Sequence, residues 1–188
     1  MKLHTNRLIL REIENKDLND LIKQANNINV ARYLAVVPHP YTISKGKWFI
    51  IHCKKEAKNK PRINYEFAIE LKSEKIFIGV ISLCHVNYHN GTGTIGYWLG
   101  ENYWRNGYMS EALEKVIDFT FSKIKLRRID IAAFIENRPS NNLIKKFGFI
   151  YEGKRIKNVR AKSTGKIHDH FMYGMLKEDW IKRKIKRK

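Results

Sequence analysis

The most constraining feature of this chain is a series of three strand-like segments joined by short turns. The segments are residues 65–71, 76–85 and 94–99. Residues 72–75 (KSEK) fit a tight turn, and the Asn-Gly pair at 90–91 is a strong signal for a β-hairpin. Hairpin turns join antiparallel strands, so the middle of the chain is expected to form an antiparallel sheet.

The hydrophobic period changes after these strands. Apolar residues recur at helical spacing between positions 112 and 124, which predicts a helix of about four turns. The other predicted elements are an opening strand at 8–13, helices at 18–25, 43–57 and 137–147, and strands at 128–135, 149–155 and 170–176. Together they predict a mixed α/β (α+β) fold, with one mainly antiparallel sheet, two helices early in the chain and two late.

Length and charge indicate how the chain is organised. One domain is the default for 188 residues, so we assign residues 1–180 to a single domain and 181–188 to a basic C-terminal tail. Lys and Arg number 37 against 18 Asp and Glu, a formal net charge of +19. Such a surface favours polyanions such as nucleic acid or nucleotide-like cofactors, although a lysine-rich composition that serves only solubility explains it equally well.

Several classes of protein are excluded by the sequence. Two cysteines are too few for a disulfide framework or a zinc ribbon. The N-terminus lacks the apolar run and the cleavage site of a secretory signal, and no stretch approaches 18 consecutive apolar residues. A cytoplasmic protein with no membrane segment is therefore expected.

Two short motifs are misleading. Residues 91–96 fit the G-x-G-x-x-G dinucleotide fingerprint, but they lead into a strand rather than a helix. His168, Asp169 and His170 suggest a metal site, yet alternate residues of a strand point to opposite faces, so Asp169 would oppose both histidines. Neither a dinucleotide nor a metal is expected.

Residues 103–112 (YWRNGYMSEA), between the strand at 94–99 and the next helix, carry the strongest functional signal. Backbone N–H groups at a helix N-terminus bind phosphate groups well. Arg105 would add a positive charge, and Gly107 would let the backbone approach a ligand closely. A basic surface turn that merely contains a glycine is the alternative interpretation.

The ordered set of motifs is more specific than this loop alone. In chain order it comprises TNRLILR at 5–11, IGYWL at 95–99, YWRNGY at 103–108, SEA at 110–112, ENRPS at 136–140, KFGF at 146–149, YEG at 151–153 and HD at 168–169. This set resembles the GNAT acetyltransferases, and within them the ribosomal-protein N-terminal-alanine acetyltransferases (RimJ/RimL type). The resemblance spans about residues 3–180, nearly the whole chain.

The resemblance implies how acetyl-CoA, the expected co-substrate, would be held. The strand at 94–99 would splay from the strand at 128–135, and the pantetheine arm would lie in the gap. Backbone groups would polarise the thioester carbonyl in the manner of an oxyanion hole. The cofactor-binding residues that it implies are Trp98, Leu99, Arg105, Asn106, Gly107, Tyr108, Met109, Ser110 and Asn137. Asn137 has a helix cap as its alternative role.

The resemblance also implies catalytic residues, with two departures. Many family members protonate the leaving thiolate with a tyrosine on the late helix, where this chain has Ile144. The ribosomal-protein branch assigns that role to a serine, which aligns with Ser140. The glutamate of that branch has no counterpart, because Val159 and Arg160 occupy its region. The candidate bases are Glu136, Glu66 and His168, and Glu136 is preferred.

The expected function is transfer of acetyl from acetyl-CoA to an amine, preferably the N-terminal α-amine of a ribosomal protein. An α-amine (pKa about 7.7–8.0) is partly neutral near physiological pH and asks less of a base than a lysine side chain (about 10.4). The first alternative is a polyamine, amino-sugar antibiotic or amino-acid acceptor. The second is an RNA- or ribosome-binding module on an inactive scaffold, with the basic tail contributing. The oligomeric state, monomer or homodimer, stays open.

Overall fold

The computed structural model describes residues 1–186, and its strands form an eight-stranded mixed sheet. The strands are β1 (Lys2–His4), β2 (Leu8–Arg11), β3 (Tyr65–Leu71), β4 (Ile76–Asn87), β5 (Thr92–Leu99), β6 (Arg128–Phe134), β7 (Ile150–Arg160) and β8 (Ile167–Leu176). Their order across the sheet is β1-β2-β3-β4-β5-β6-β8-β7. Neighbouring strands are antiparallel except β5 and β6, which are parallel.

Six α-helices flank this sheet within the described residues. They are α1 (Leu18–Ala25), α2 (Ile28–Ala31), α3 (Ile43–Glu56), α4 (Tyr108–Phe119), α5 (Arg138–Lys146) and α6 (Lys177–Ile185). Short 3-10 turns precede α1 and α4, and a π-helical turn follows α4. In residues 1–186, none of the helices has the length and apolar character needed to cross a membrane.

The helices pack on both faces of the sheet, because successive residues of a strand point to opposite sides. In β3, Phe67 belongs to one core with Leu113 of α4 and Trp180 of α6. The next residue, Ala68, belongs to a second core with Ile50 of α3. α5 shares the first core and α1 the second. We call these two sides the α4 face and the α3 face.

The parallel pair β5–β6 is short. Its register begins where Thr92 pairs with Arg128 and ends where Ile95 pairs with Ile131. Beyond that point, residues 96–99 of β5 pair with β4, and β6 continues beside β8. The two strands therefore separate, which confirms the predicted splayed pair and opens a gap in the middle of the sheet.

The elements that differ from the prediction do so for local reasons. Residues 91–96, the G-x-G-x-x-G match, are not among these differences, because they run into β5 and begin no helix, as predicted. α4 begins at Tyr108 rather than at 112, because Gly107 adopts a left-handed φ of 78° and turns the chain directly into the helix. β7 extends to Arg160, beyond the predicted end at 155. The sequence does not reveal this extension, because the residues of β7 are largely exposed and show no apolar alternation. β1, at three residues, is too short to give a periodic signal.

A buried ion-pair cluster joins the start of the sheet to α1. Arg11 of β2 donates two hydrogen bonds of 2.7 Å to Asp17 and one of 2.6 Å to Glu70 of β3. Arg11 and Asp17 are each only 3% exposed. Burial alone would lower the pKa of Arg11, but its hydrogen bonds to the two carboxylates raise that pKa above its ordinary value. The cluster therefore stays charged.

The cluster gives the first testable prediction. Arg11→Met would leave two carboxylates, Asp17 and Glu70, buried without their partner, so we expect the free energy of unfolding to fall by about 3–5 kcal/mol. Urea denaturation followed by circular dichroism measures this change. The control is Lys154→Met, which breaks a 2.8 Å surface ion pair with Asp169 and should cost less than about 1 kcal/mol. Similar small losses in both variants would contradict the prediction.

Candidate active site

The open edge of β5 forms one side of the gap in the sheet. Trp98 packs its ring against Phe77 on the α3 face, with the ring centroids 5.9 Å apart. The backbone carbonyl of Leu99 accepts a 2.9 Å hydrogen bond from the indole N–H of Trp104. Because β6 has separated here, the opposite edge of residues 96–99 has no strand partner. Both predicted strand residues therefore lie beside the gap, where backbone groups are accessible to a ligand.

The predicted phosphate-binding loop connects β5 to α4. Arg105 and Gly107 both have left-handed backbone conformations, with φ of 62° and 78°. Asn106, between them, donates its side-chain amide to the carbonyl of Trp104 at 3.0 Å. No side chain caps the first turn of α4, which starts at Tyr108. The N–H groups of that turn and the positive end of the helix dipole are thus available to an anion.

This loop is tied to the start of the chain by contacts that the sequence analysis did not assign. Glu111 of α4 accepts hydrogen bonds from the backbone N–H of Arg7 (2.7 Å), from Arg7 Nε (2.8 Å) and from Thr5 Oγ1 (2.6 Å). Arg7 Nη1 also donates to the carbonyl of Asn106 at 2.9 Å. The Arg7 guanidinium lies 4.6 Å from the centre of the Tyr108 ring. We call this set the Arg7–Glu111 brace.

The carboxyl group of Glu111 in the brace is ionised at neutral pH. Burial alone would raise the pKa of Glu111, but the hydrogen bonds from Thr5 and Arg7 outweigh it and hold that pKa below its ordinary value. The carboxylate is therefore ionised wherever the protein is near neutral pH, and the stability that it contributes is lost only in acid. Both partners lie in motifs that carried the family resemblance, but only the structure brings them together.

The start of α5 forms the other side of the gap. Asn137 caps this helix, because its Oδ1 accepts from the backbone N–H of Ser140 at 3.3 Å. Asn141, which is 5% exposed, donates to the carbonyl of Phe134 at 2.9 Å and accepts from the hydroxyl of Tyr173 at 2.8 Å. These bonds fix α5 to the end of β6. Asn137 thus has its alternative role as a cap, and its contact with a cofactor stays a prediction.

Two hydroxyl groups meet between β5 and α5. Ser140 Oγ lies 2.9 Å from the hydroxyl oxygen of Tyr97. Burial raises the pKa of Tyr97 to about 12, although the hydrogen bond with Ser140 acts in the opposite direction. The phenol therefore keeps its proton at neutral pH. Ile144, at the position of the family tyrosine, is fully buried in the α4-face core. The sequence does not predict a functional role for Tyr97, because this residue lies among apolar strand residues.

A cavity of about 770 Å³ lies on the α3 face, between α3 and strands β3 to β5. Its wall is largely apolar and aromatic and includes Val37, Pro38, Tyr41, Trp48, Phe49 and Trp98. Of the described residues that line it, Glu66 is the single acidic one, and Lys45 and Lys162 are basic. Ser82 Oγ donates to one oxygen of Glu66, and Cys84 Sγ to the other at 3.3 Å.

A second groove of about 550 Å³ adjoins this cavity along β6, β7 and β8. Thr94 lines the groove, and Gly96, two residues further along β5, lines the cavity. Alternate strand residues share a face, so both openings lie on the α3 face. The floor of the groove carries an ion-pair network in which Arg128 binds Asp130 and Glu152. The two openings together form a surface longer than a small amine needs.

The other two candidate bases lie together at the end of β6. Glu136 is 58% exposed, and its Oε2 lies 3.4 Å from Nδ1 of His168. His168 stacks on Phe134, with the rings 4.3 Å apart. Asp169 pairs instead with Lys154, at 2.8 Å. Within residues 1–186, no group of three or more His, Cys, Asp or Glu side chains is placed to hold a metal ion.

Comparison with known proteins agrees with this geometry. Residues 7–150 match the family model described as an acetyltransferase (GNAT) domain. An uncharacterised N-acetyltransferase, p20 of Bacillus licheniformis, is 31% identical over 178 residues, 95% of this chain and 97% of that protein. The ribosomal-protein-serine acetyltransferase of Escherichia coli is 39% identical over 80 residues, 43% of this chain and 45% of that one.

A solved structure is similar over nearly the whole chain. The GNAT-family acetyltransferase from Bacillus anthracis superposes with a TM-score of 0.78 at 27% sequence identity. The match covers 95% of this chain and 99% of that one. The eight-stranded fold and its split sheet are therefore those of an acetyltransferase.

The brace gives the second testable prediction. Arg7→Ala removes the bonds that hold the loop against Glu111, so we expect the Kd for acetyl-CoA, measured by titration calorimetry, to rise about tenfold, or ~1.4 kcal/mol. Arg127→Ala is the matched control, because this exposed arginine also donates to one carbonyl, that of Asn90 at 2.7 Å, in the β4–β5 hairpin. Equal Kd values for both variants and the wild type would show that the brace does not shape the loop.

Proposed function

This chain belongs to the GNAT acetyltransferases and uses acetyl-CoA, and we propose that its acceptor is the N-terminal α-amine of a protein, of the ribosomal-protein type. The observation that carries this proposal is the charge of the α3-face cavity. Its lining offers one carboxylate, on Glu66, beside two lysines, Lys45 and Lys162. One carboxylate suits an acceptor with one ammonium group.

We assign binding of acetyl-CoA to the gap and to the loop that follows it. The pyrophosphate would bind the backbone N–H groups of residues 105–110 and the side chain of Arg105. The pantetheine arm would bind the open edge of β5 at Trp98 and Leu99. The left-handed loop residues, the uncapped first turn of α4 and the unpaired strand edge support this assignment. Acetyl-CoA supplies the acetyl group as a thioester.

A polyamine fits the cavity less well than an α-amine does. A polyamine carries several positive charges along its length, and each needs a carboxylate or a solvated position. Glu66 offers one such carboxylate, whereas Lys45 and Lys162, both exposed, would repel the remaining charges. An N-terminal residue has one ammonium group followed by an uncharged backbone. The aromatic wall that includes Trp48 suits its side chain if that side chain is apolar.

The second groove favours an acceptor that continues beyond its first residue. It begins beside Thr94, next to the cavity, and runs along β6 and β8. A free amino acid or an amino sugar would fill the cavity and leave this groove unused. A polypeptide that entered the cavity by its N-terminus would have a surface on which to lay its next residues. This extent of surface supports a protein acceptor.

We assign to Ser140 the donation of a proton to the leaving thiolate. Its hydroxyl is 2.9 Å from that of Tyr97, whose proton is held at neutral pH. Tyr97 can therefore donate a proton to Ser140 after Ser140 has given its own. Tyr97 acts through Ser140 and does not itself contact the leaving sulfur. This pair stands in place of the family tyrosine, whose position holds the buried Ile144. Glu136, which is largely exposed and lies 3.4 Å from Nδ1 of His168, stays a predicted base.

The basic C-terminus has a structural use. Lys184 of α6 forms a 2.6 Å ion pair with Asp118 of α4. Trp180, which is 2% exposed, donates its indole N–H to the same carboxylate at 2.8 Å. These contacts dock α6 on α4. Contact of the remaining basic residues with RNA or a ribosome stays a prediction, and residues 187 and 188 of the predicted tail lie outside the described residues.

Acceptor choice is tested with a panel of amines. Hexapeptides with a free N-terminal Ala or Ser, the same peptides with a blocked N-terminus and an internal lysine, spermidine and free alanine are each incubated with acetyl-CoA. Release of CoA thiol gives the rate, and mass spectrometry gives the site. We expect acetylation of the free N-termini and no reaction of the blocked peptides. Faster turnover of spermidine than of every peptide would overturn the α-amine proposal.

The hydroxyl pair gives a further prediction. Ser140→Ala should lower kcat about 100-fold and leave the KM for acetyl-CoA within about twofold, because proton transfer acts in the transition state. Tyr97→Phe should lower kcat less, and the double variant should resemble Ser140→Ala, since the two hydroxyls act in series. Ser122→Ala, which removes an exposed hydroxyl bonded to the carbonyl of Asp118, is the control. Wild-type kcat in Ser140→Ala would remove Ser140 from the mechanism.

A further inference from the structure

We infer that Glu66 binds the ammonium group of the acceptor and takes its proton, on the face of the sheet opposite Ser140. The inference rests on the proposed transfer to a single amine and adds the residue that receives it. Glu66 lies on β3 within the cavity of the α3 face. Ser140 and Tyr97 lie on the α4 face. One group thus takes a proton and the other gives one, from the two sides of the gap.

Strand register places Glu66 in line with the open part of β5. Glu66 pairs with Ser82 of β4, and Ser82 pairs with Gly96 of β5. Cross-strand partners share a face, so all three look into the same cavity. Two strand spacings make about 9–10 Å between the backbones of Glu66 and Gly96. The Glu66 carboxylate lies beside Ser82 and Cys84 of the intervening strand β4. The remaining distance to Gly96 is about one strand spacing, which is room for one small group, an amine or a water.

Gly96, the last of these three cross-strand partners, leaves the cavity open toward the gap. A Cβ at this position would meet no atom within 4 Å, and β6 has already separated from the strand. Gly96 is exposed, although Ile95 before it and Leu99 at the end of the strand are buried. The α3-face cavity therefore meets the gap at Gly96. An amine held by Glu66 can reach the gap from this side without displacing a side chain.

Hydrogen bonds hold the Glu66 carboxylate as an acceptor. Ser82, which is 8% exposed, donates to one oxygen, and Cys84 donates to the other at 3.3 Å. Each carboxylate oxygen has further acceptor capacity. Burial raises the pKa of both Cys84 and Cys53, so these thiols stay neutral beside Glu66 at neutral pH. Among the described residues that line the cavity, Glu66 is then the one carboxyl group that an entering ammonium meets.

Other titratable groups that line the cavity come from every surrounding element. They are Tyr41, Lys45 and His52 on the α3 side, His85 on β4 and Lys162 from the turn after β7. Tyr97 of β5 also borders the cavity, but its side chain packs against the α4-face core. None of these side chains is acidic. Glu136, the rival base, lines neither this cavity nor the adjoining groove. The cavity therefore offers one proton acceptor that is also a counter-ion for the amine.

The transfer balances with Glu66 in this role. A proton passes from the ammonium nitrogen to a Glu66 oxygen, directly or through one water, and leaves a lone pair on nitrogen. That lone pair forms the N–C bond to the acetyl carbon. As the C–S bond breaks, the nitrogen gives its second proton to water, and the departing sulfur takes a proton from Ser140, which Tyr97 and solvent resupply. Glu66 then returns its proton to solvent at the mouth of the cavity.

The test is the pH dependence of kcat/KM between pH 6 and 9.5 for wild type, Glu66→Gln and Glu74→Gln, with the N-terminal Ala hexapeptide. At pH 7 only about one α-amine in ten is neutral. We therefore expect Glu66→Gln to be about tenfold slower at pH 7 and within about twofold of wild type above pH 9. Glu74, exposed in the β3–β4 turn, is the matched control and should change nothing.

Two measurements separate this role from a structural one. The shift in melting temperature with acetyl-CoA should be the same in all variants, which shows that the fold and the cofactor site are intact. Glu66→Asp keeps a carboxylate and should keep the wild-type shape of the pH profile at a lower rate. These results, with a deficit of Glu66→Gln that narrows as pH rises, would support the inference.

Three results would overturn it. If Glu66→Gln equals wild type at pH 7, Glu66 does not take the proton. If its deficit is the same at every pH, Glu66 only supports the cavity. In both cases the wild type still acetylates the peptide, so the proposed function stands. If the wild type acetylates no peptide at all, the proposed acceptor fails, and the inference fails with it.

Discussion

The fold depends on one parallel pair of strands that stays paired over only four residues. β5 is held along its length by β4, and β6 by β8, so each half of the sheet is complete without the other. Hydrogen bonding between the halves can stop without leaving either strand unsupported. Acyl transfer to an amine removes protons from the nitrogen and supplies one to the departing sulfur. The opening lets the groups assigned to these two tasks, Glu66 and Ser140, occupy opposite sides of the same sheet.

The rest of the molecule keeps this opening in shape. The Arg7–Glu111 brace holds the loop on one side, and buried Asn141 joins β6, α5 and β8 on the other. Both use side chains fixed by several hydrogen bonds rather than by packing alone. A charged or fully bonded group has one low-energy arrangement, so the loop and the helix start are positioned before any ligand arrives.

Sequence reasoning reached the parts of this structure that have local signals. Hairpins at 72–75 and 90–91 and the helix after Gly107 follow from turn residues and period. The position of Arg7 does not, because its partner Glu111 is 104 residues away. Tyr97 reads as an apolar strand residue until the position of α5 is known. Glu66 was one of three candidate bases, and strand register rather than residue type distinguishes it from Glu136.

The brace also bears on the order in which the molecule assembles. The segment around Arg7 is synthesised well before its partner carboxylate, which lies more than a hundred residues later in the chain. Closing so long a loop is slow and entropically costly, so such contacts form late. The phosphate-binding loop therefore acquires its final shape only after most of the sheet exists. Tight cofactor binding therefore reports that the segment around Arg7 has docked on α4.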